Sequence, residues 1–386
     1  MRFDFAGSRV SPRPGWTPVP LPVRPVNGRK VSAGVTRLAG AMHSPPAQTA
    51  VDLFLLANAI HTADRLAEPT ADGSPRSITV SLPVVDTARW GRALPMLSRL
   101  LGHLTGDEWA LEVRGGSSYW SPEVPGWGRR ADAVVAFTGG LDSFCHGTTV
   151  ADRPLVLVDR RGHRRLGPVQ RRLATDLGVP PTRLASLTVP TGGRTRGLLF
   201  LAAGLLVCSS HRIRNLRVPE NGLIAAWPPS GGVRAAHPVT LARLNVVLRH
   251  LALPHRVVNP LAYLTKGETC REALEAGADP AGFFTTVSCA APKSAEGAVV
   301  NCGTCAPCLV RYAALITTLG GEDATPYRVD PATLEPGEPA LDALLEWLTT
   351  PEPVADDLAP WPPGADIAPV LDVIARGRAE LREVWV

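Results

Sequence analysis

Lysine is nearly missing from this chain of 386 residues. Only Lys30, Lys266 and Lys293 occur, so the positive charge is almost all arginine. The bias reads first as genomic base composition, because a net charge of +5 names no partner by itself. Long apolar runs are missing too. The longest is GLLFLAAGLLVCSS (197–210), between Arg196 and His211. It is shorter than the roughly 20 residues a bilayer requires, so it reads as a buried helix and no membrane partner is expected. The amino terminus, MRFDFAGSRV, carries charge where a secretory signal needs an apolar core, so a cytoplasmic location is expected. An even disulfide framework is absent. Cys145, Cys208 and Cys270 are scattered, whereas Cys289, Cys302, Cys305 and Cys308 cluster. That distribution points to metal rather than disulfides.

What is present is an α/β alternation. Residues 1–45 are rich in Pro, Arg and Gly and read as an extended arm or short strands. A helix over 47–67, a strand over 76–84, a helix over 87–104 despite Pro95, and a strand over 108–116 make a mixed α/β region. The stretch 117–130 is a Ser/Pro/Gly/Trp linker. Beyond it, 133–137, 155–159, 184–190 and 215–222 read as strands separated by helical segments. Continuous apolar strands alternating with helices predict a parallel sheet covered on both faces. Two helices are expected in the Pro/Asp/Glu-rich tail, near 341–348 and 366–381. The expected layout is an accessory α/β domain over 1–128, the parallel-sheet domain over 129–320 and a helical extension over 321–386.

FTGGLDS (137–143) follows the strand AVVAF and opens a helix. At such a junction, free helix N–H groups point at a ligand beyond the strand ends. Gly139 and Gly140 leave the backbone bare, so successive N–H groups can surround phosphate oxygens. Thr138 and Ser143 add hydroxyls. The Walker lysine is absent, and so is the G-x-G-x-x-G of dinucleotide folds. A ligand-free strand-to-helix turn is the bland alternative.

C-x12-C-x2-C-x2-C, from Cys289 to Cys308, suits tetrahedral zinc. Four thiolates leave no open position, so the expected role is structural. An iron–sulfur cluster is the alternative ligand.

FTGGLDS resembles the S-G-G-x-D-S loop of the PP-loop ATP pyrophosphatases, with Thr138 in place of the first serine. The loop followed by the four cysteines resembles the QueC family, the 7-cyano-7-deazaguanine synthases. NPLAYLTKGE (259–268) is similar to that family's P-L-x-x-L-T-K-x-E segment, and RTRGLLFL (194–201) to its arginine-led helix. Gly197 stands where the family has asparagine. Asp159 and His163 fall near family positions. VPENGLIAAWPP (218–229) replaces the family's G-Y-P-D-C-R-type segment, and long segments flank the core. These departures look more like the defence-associated branch, QatC and the QueC-like proteins of CBASS operons.

The resemblance implies ATP and Mg²⁺ as well as the structural Zn²⁺. It implies that a deazapurine carboxylate attacks the α-phosphate of ATP, releasing pyrophosphate, and that an amine then displaces AMP. Asp142, Ser143, Arg196 and Lys266 are the catalytic candidates. Thr138, Gly139, Gly140, Leu141, Asp142, Ser143 and Asp159 are the candidate ATP contacts. Glu220, Asn221 and His237 are the candidate substrate contacts, although Glu220–Gly222 also reads as a plain strand-ending turn. The amine is ammonia, leading on to a nitrile, or a protein amine, giving an amide conjugate with a defence partner. A homodimer is carried as a candidate assembly. Two competing readings are a tRNA sulfurtransferase using Cys145 and a nucleotide-sensing subunit without catalysis. The arginines of 160–172 read as a solvated helix face, with docking of RNA or an acidic partner as the alternative.

Overall fold

The computed structural model describes residues 1–6, 13–20, 36–116, 122–124, 130–161, 166–189, 192–226, 235–295, 298–354, 361 and 366–386. His163 lies outside them.

Two parallel sheets organise the molecule. The first contains β1 (Arg2–Ala6), β2 (Thr17–Pro20), β3 (Ser77–Val84) and β4 (Glu108–Gly115), in the order β2-β1-β3-β4. Thus part of the amino-terminal arm is strand, paired in parallel with the sheet. Helices α1 (Thr36–Gly40), α2 (Gln48–Leu66) and α3 (Thr87–Thr105) accompany it.

The second sheet runs β7-β6-β5-β8-β9, all parallel. Its strands are β5 (Ala133–Phe137), β6 (Leu155–Arg161), β7 (Leu184–Thr188), β8 (Asn215–Arg217) and β9 (Arg256–Val258). Helices α4 (Leu141–Thr149), α5 (Leu166–Asp176), α6 (Arg196–His211), α7 (Gly222–Ala226) and α8 (Pro238–His250) fill the connections. The side-chain period of two splits each strand between two cores. Val134 and Ala136 of β5 join one apolar cluster, and Ala133, Val135 and Phe137 join the other. Both faces are therefore dry, which explains the uninterrupted apolar runs in the sequence. Strand β8 is shorter than its apolar pattern suggests. Pro219 has no N–H to continue a ladder, and Asn221 turns aside to donate from its backbone N–H to Asp142.

After β9 come α9 (Lys266–Glu275), α10 (Pro280–Thr285), a small hairpin of β10 (Lys293–Ala295) and β11 (Ala298–Val300), and α11 (Ala306–Thr318). Helices α12 (Pro339–Thr349) and α13 (Ala368–Trp385) form the tail and close a third apolar cluster with α7 and α11. No helix among the described residues is long and apolar enough to cross a membrane.

The amino-terminal region and the second sheet share one apolar cluster, in which α2 and α3 face α6 and α8. A buried polar knot fixes their relation. Arg76 donates to Asp64 and Asp107, each at 2.6 Å. Asp64 Oδ2 in turn accepts from the Thr195 N–H and hydroxyl, both at 3.0 Å, at the start of α6. Breaking a buried pair strands the remaining charge. Asp64→Ala is expected to cost about 3 kcal/mol in urea unfolding; a loss within about 0.5 kcal/mol, as at ordinary surface sites, would contradict this bracing.

Candidate active site and metal centre

The chain order of the second sheet reverses between β5 and β8, and crevices at such reversals take ligands at the carboxyl ends of the strands. Thr138–Ser143 leaves β5 at that crevice. Gly139 has φ +80°, a conformation that strains residues with a Cβ. Helix α4 follows Gly140, which provides no side-chain cap; Ser288 takes the Leu141 N–H, and the Asp142 and Ser143 N–H groups have no partner among the described residues and are open to an outside acceptor. The Ser143 hydroxyl donates to the Gly140 carbonyl at 2.9 Å. Asp159 is fully buried on β6, in register with Phe137 at the end of β5.

Three residues not singled out in the sequence hold this turn. Buried Gln170 donates to the Thr138 carbonyl at 3.0 Å. The Ser288 hydroxyl accepts from the Leu141 N–H at 3.0 Å, and the Val287 N–H donates to the Gly139 carbonyl at 2.9 Å. Val287 and Ser288 directly precede Cys289, so the cysteine lobe is hydrogen-bonded to the glycine turn. Nothing in the local residue pattern marks them, because these contacts close only in three dimensions.

Asp142 is the centre of a buried constellation. Lys266 Nζ lies 2.5 Å from Asp142 Oδ1. Oδ2 accepts from the Asn221 backbone N–H at 3.0 Å and from its side-chain amide at 2.9 Å. Burial pushes the Asp142 carboxyl up, but the Lys266 ammonium and the Asn221 donors outweigh it and hold the carboxyl low. Burial pushes Lys266 down, but Asp142, followed by Glu220, raises it. The depressed Asp142 contributes stability above its unfolded value of about 3.9, lost as pH falls through the folded one. The raised Lys266 contributes below about 10.4, lost as pH rises through its folded value. The pair is intact across the neutral range.

Lys266 occupies the first turn of α9, where the Thr265-x-x-Glu268 pattern forms a capping box. The Thr265 hydroxyl accepts from the Glu268 N–H at 3.1 Å, and Glu268 accepts from the Thr265 N–H at 2.8 Å. The carboxyl-terminal helix adds a second anchor. Glu380 accepts from the Thr265 hydroxyl at 2.7 Å and from the Gly267 N–H at 3.0 Å. Arg376 pairs with Glu268 and donates to the Tyr263 carbonyl at 2.8 Å. The tail thus fixes the helix carrying Lys266.

The other candidates are placed as follows. Arg196 is half-buried in the first turn of α6. A Cβ on Gly197 would lie 2.4 Å from the Ala235 Cβ, so the family's asparagine does not fit this backbone. Asn221 spends its amide on Asp142 and on the Ile224 N–H, which orients Asp142 and caps α7. Glu220 sits beside them, partly exposed, its charge felt at Lys266. His237 caps α8 by accepting from the Val239 N–H at 3.2 Å. Its ring lies 5.8 Å from those of His103 and Trp361, and burial, then His103, lowers it to about 4. Among the described residues His237 makes no hydrogen bond to Asp142, Asn221 or Lys266; it meets the Ala226 backbone at the end of α7 instead.

The sulfurs of Cys289, Cys302, Cys305 and Cys308 all lie within 4.8 Å of one another. Individual separations are 3.9, 3.9 and 3.5 Å. Tetrahedral zinc with bonds of about 2.3 Å requires sulfurs roughly 3.8 Å apart, so the donor set fits the ion. Contact with the Cys289 sulfur, then that of Cys308, holds the Cys305 thiol low at the start of α11. Buried Arg311 of α11 donates to the Thr286 hydroxyl and the Phe283 carbonyl, both at 2.6 Å, and so fixes the approach to Val287. Metal removal by a chelator is expected to raise amide exchange at 287–289 and 138–141 together. Faster exchange confined to 289–308 would show that the lobe does not hold the turn.

Residues 236–319 match the family model described as "Queuosine biosynthesis protein QueC". The match runs from the start of α8 to the end of α11 and contains Lys266 and all four cysteines. It covers less than a quarter of the chain and stops short of the glycine turn. No curated protein matches the chain significantly. The match supports a QueC-like, ATP-using enzyme related to queuosine biosynthesis.

Proposed function

We propose that the chain is a PP-loop ligase that adenylates a deazapurine carboxylate with ATP and passes the acyl group to an amine. The observation that carries this reading is the buried Lys266–Asp142–Asn221 constellation at the sheet reversal, directly behind the glycine turn. Charged phosphoryl transfer is accelerated mainly by fixed positive charge and N–H donors. The first turn of α4, Lys266 and Arg196 offer those groups. In this reading the first-turn N–H groups bind the β- and γ-phosphates. A carboxylate oxygen of the acid forms a bond to the α-phosphorus, and the bond from that phosphorus to the pyrophosphate oxygen breaks. The amine nitrogen then bonds to the acyl carbon, AMP leaves with the electron pair, and the amine loses a proton. Mg²⁺ bound with ATP would supply further charge neutralisation; Asp142 in the first turn of α4 and Asp159, in register with Phe137 at the end of β5, would be the carboxylates to hold it. Glu220 is the residue we assign to the aminopyrimidinone edge, since a carboxylate accepts two N–H donors. Asn221 serves by positioning Asp142.

The departures at 218–229 and the long flanking segments support a protein or peptide amine in a defence setting. The queuosine description of the matching family supports ammonia and onward dehydration to the nitrile as the second reading. A sulfurtransferase is disfavoured, because Cys145 is fully buried and burial, then Cys270, pushes its thiol well up. A nucleotide sensor would bind ATP without consuming it.

The test is incubation of the zinc-loaded protein with ATP, Mg²⁺, 7-carboxy-7-deazaguanine and either ammonium or a peptide amine. Mass spectrometry is expected to find an amide, and Lys266→Met is expected to lower its rate by at least about 100-fold, the scale of losing one electrostatic stabiliser. Bound but unconsumed ATP with every amine would overturn the catalytic reading in favour of the sensor.

A further inference from the structure

The arginine bias of the sequence has a placement that composition does not show. At the amino-terminal edge of the second sheet, opposite the glycine turn, an arginine stands at or just before every strand. Arg183 precedes β7, Arg153 β6, Arg130 β5 and Arg214 β8, and Arg256 begins β9. The registers Ala133↔Leu155, Val134↔Leu216 and Asn215↔Arg256 put the starts of β5, β6, β8 and β9 at a common level, and Leu157↔Leu184 sets the start of β7 two residues further along. The backbones of Arg214 and Arg256 are joined directly, by an N–H to carbonyl bond of 2.7 Å. With strands about 4.8 Å apart, the row spans roughly 19 Å. Arg212, the carboxyl cap of α6, widens it.

Arg130, Arg153, Arg212, Arg214 and Arg256 are exposed, and Arg183 partly so. Arg153 pairs with its neighbour Asp152 on the surface, at 3.2 Å. Asp132 at the foot of β5, and Asp176 and Asp279 in the hollow beside Asp152, are further exposed acids at this end, with Arg172 among them; the arginines of the row still outnumber them. Helix dipoles favour cations at helix carboxyl ends, which accounts for Arg212. Arg130, Arg153, Arg214 and Arg256 belong to no helix, so that effect does not account for them. Arg212 and Arg214 also line a groove of about 810 Å³ with Ser44, Ala47 and His255.

The geometry points to a docking edge for the phosphodiester backbone of a nucleic-acid duplex. Guanidinium groups match phosphate in a planar, two-pronged fashion. A single strand would call for aromatic platforms to stack its bases. The exposed large apolar side chains among the described residues are Met1, Leu66, Val85, Tyr263, Val329, Val354 and Val386, and none stands at the foot of this sheet. A row without base-reading groups predicts sequence-independent, salt-sensitive binding. The edge lies at the opposite end of the strands from the crevice, so a docked duplex leaves the reaction centre open.

The test is fluorescence anisotropy of the full zinc-loaded chain with labelled DNA and RNA duplexes of arbitrary sequence, from about 50 to 200 mM salt, with polyglutamate as competitor. The inference predicts duplex binding that weakens steeply with salt, and the two duplex arms tell which nucleic acid is preferred. Arg130→Gln/Arg214→Gln/Arg256→Gln is expected to weaken binding at least about tenfold and to reduce the salt slope by roughly 2–3, at about 0.9 per phosphate contact. Arg92→Gln, on α3, leaves both unchanged. Absence of duplex binding, equal binding by the triple variant, or preferential binding of polyglutamate overturns it. The readout is independent of catalysis, so it stands or falls apart from the ligase reading.

Discussion

The ion pair between Lys266 and Asp142 is the interaction on which the rest of the structure depends. Both side chains are almost wholly out of water, and burying charge is expensive unless each ion is fully partnered. The surroundings supply that partnering. Asn221 gives Asp142 two donors, and Glu220 adds negative charge near Lys266. A buried pair is weak evidence for stability but constrains position strongly, and here it joins the helix after the glycine turn to the helix after β9.

Segments outside the central sheet exist in the structure largely as braces for this arrangement. The amino-terminal region reaches in through Asp64, which accepts from Thr195 at the start of the Arg196 helix. The tail reaches in through Glu380 and Arg376, which hold the start of the Lys266 helix. In both cases a carboxylate meets a helix amino terminus, where the dipole favours it. The cysteine lobe reaches in through Val287 and Ser288. A four-sulfur cluster fit for a metal next to a bare glycine turn makes physical sense on these terms: a bound ion would stiffen a loop whose own residues supply little packing.

Much of this was legible in the sequence, for physical reasons. Continuous apolar strands specify burial on both faces, so the parallel sheet could be read from AVVAF and LVLV. The capping box at Thr265 and Glu268 is a local pattern with a local geometry. The four cysteines were legible as a cluster because their close spacing is one that metal ligation demands, and their sulfurs do come together. What was not legible depends on distant contacts. Gln170, Ser288 and Glu380 look like ordinary polar residues until folding sets each against a turn or helix end. Asn221 shows the same limit: a candidate for substrate, it gives its amide to Asp142. Strands β1 and β2 are not legible in the sequence, because two short segments in a Pro- and Gly-rich arm carry no periodicity of their own, and only the pairing of β1 with β3 and of β2 with β1 defines them.

The measurement closest to the central claim is exchange of labelled pyrophosphate into ATP, since it requires cleavage between the α- and β-phosphates and does not depend on which amine follows. The account predicts exchange that requires 7-carboxy-7-deazaguanine and Mg²⁺, and that disappears in Lys266→Met while the four-cysteine site still retains its zinc. Exchange that persists in Lys266→Met, or release of ADP and orthophosphate in place of exchange, would contradict it.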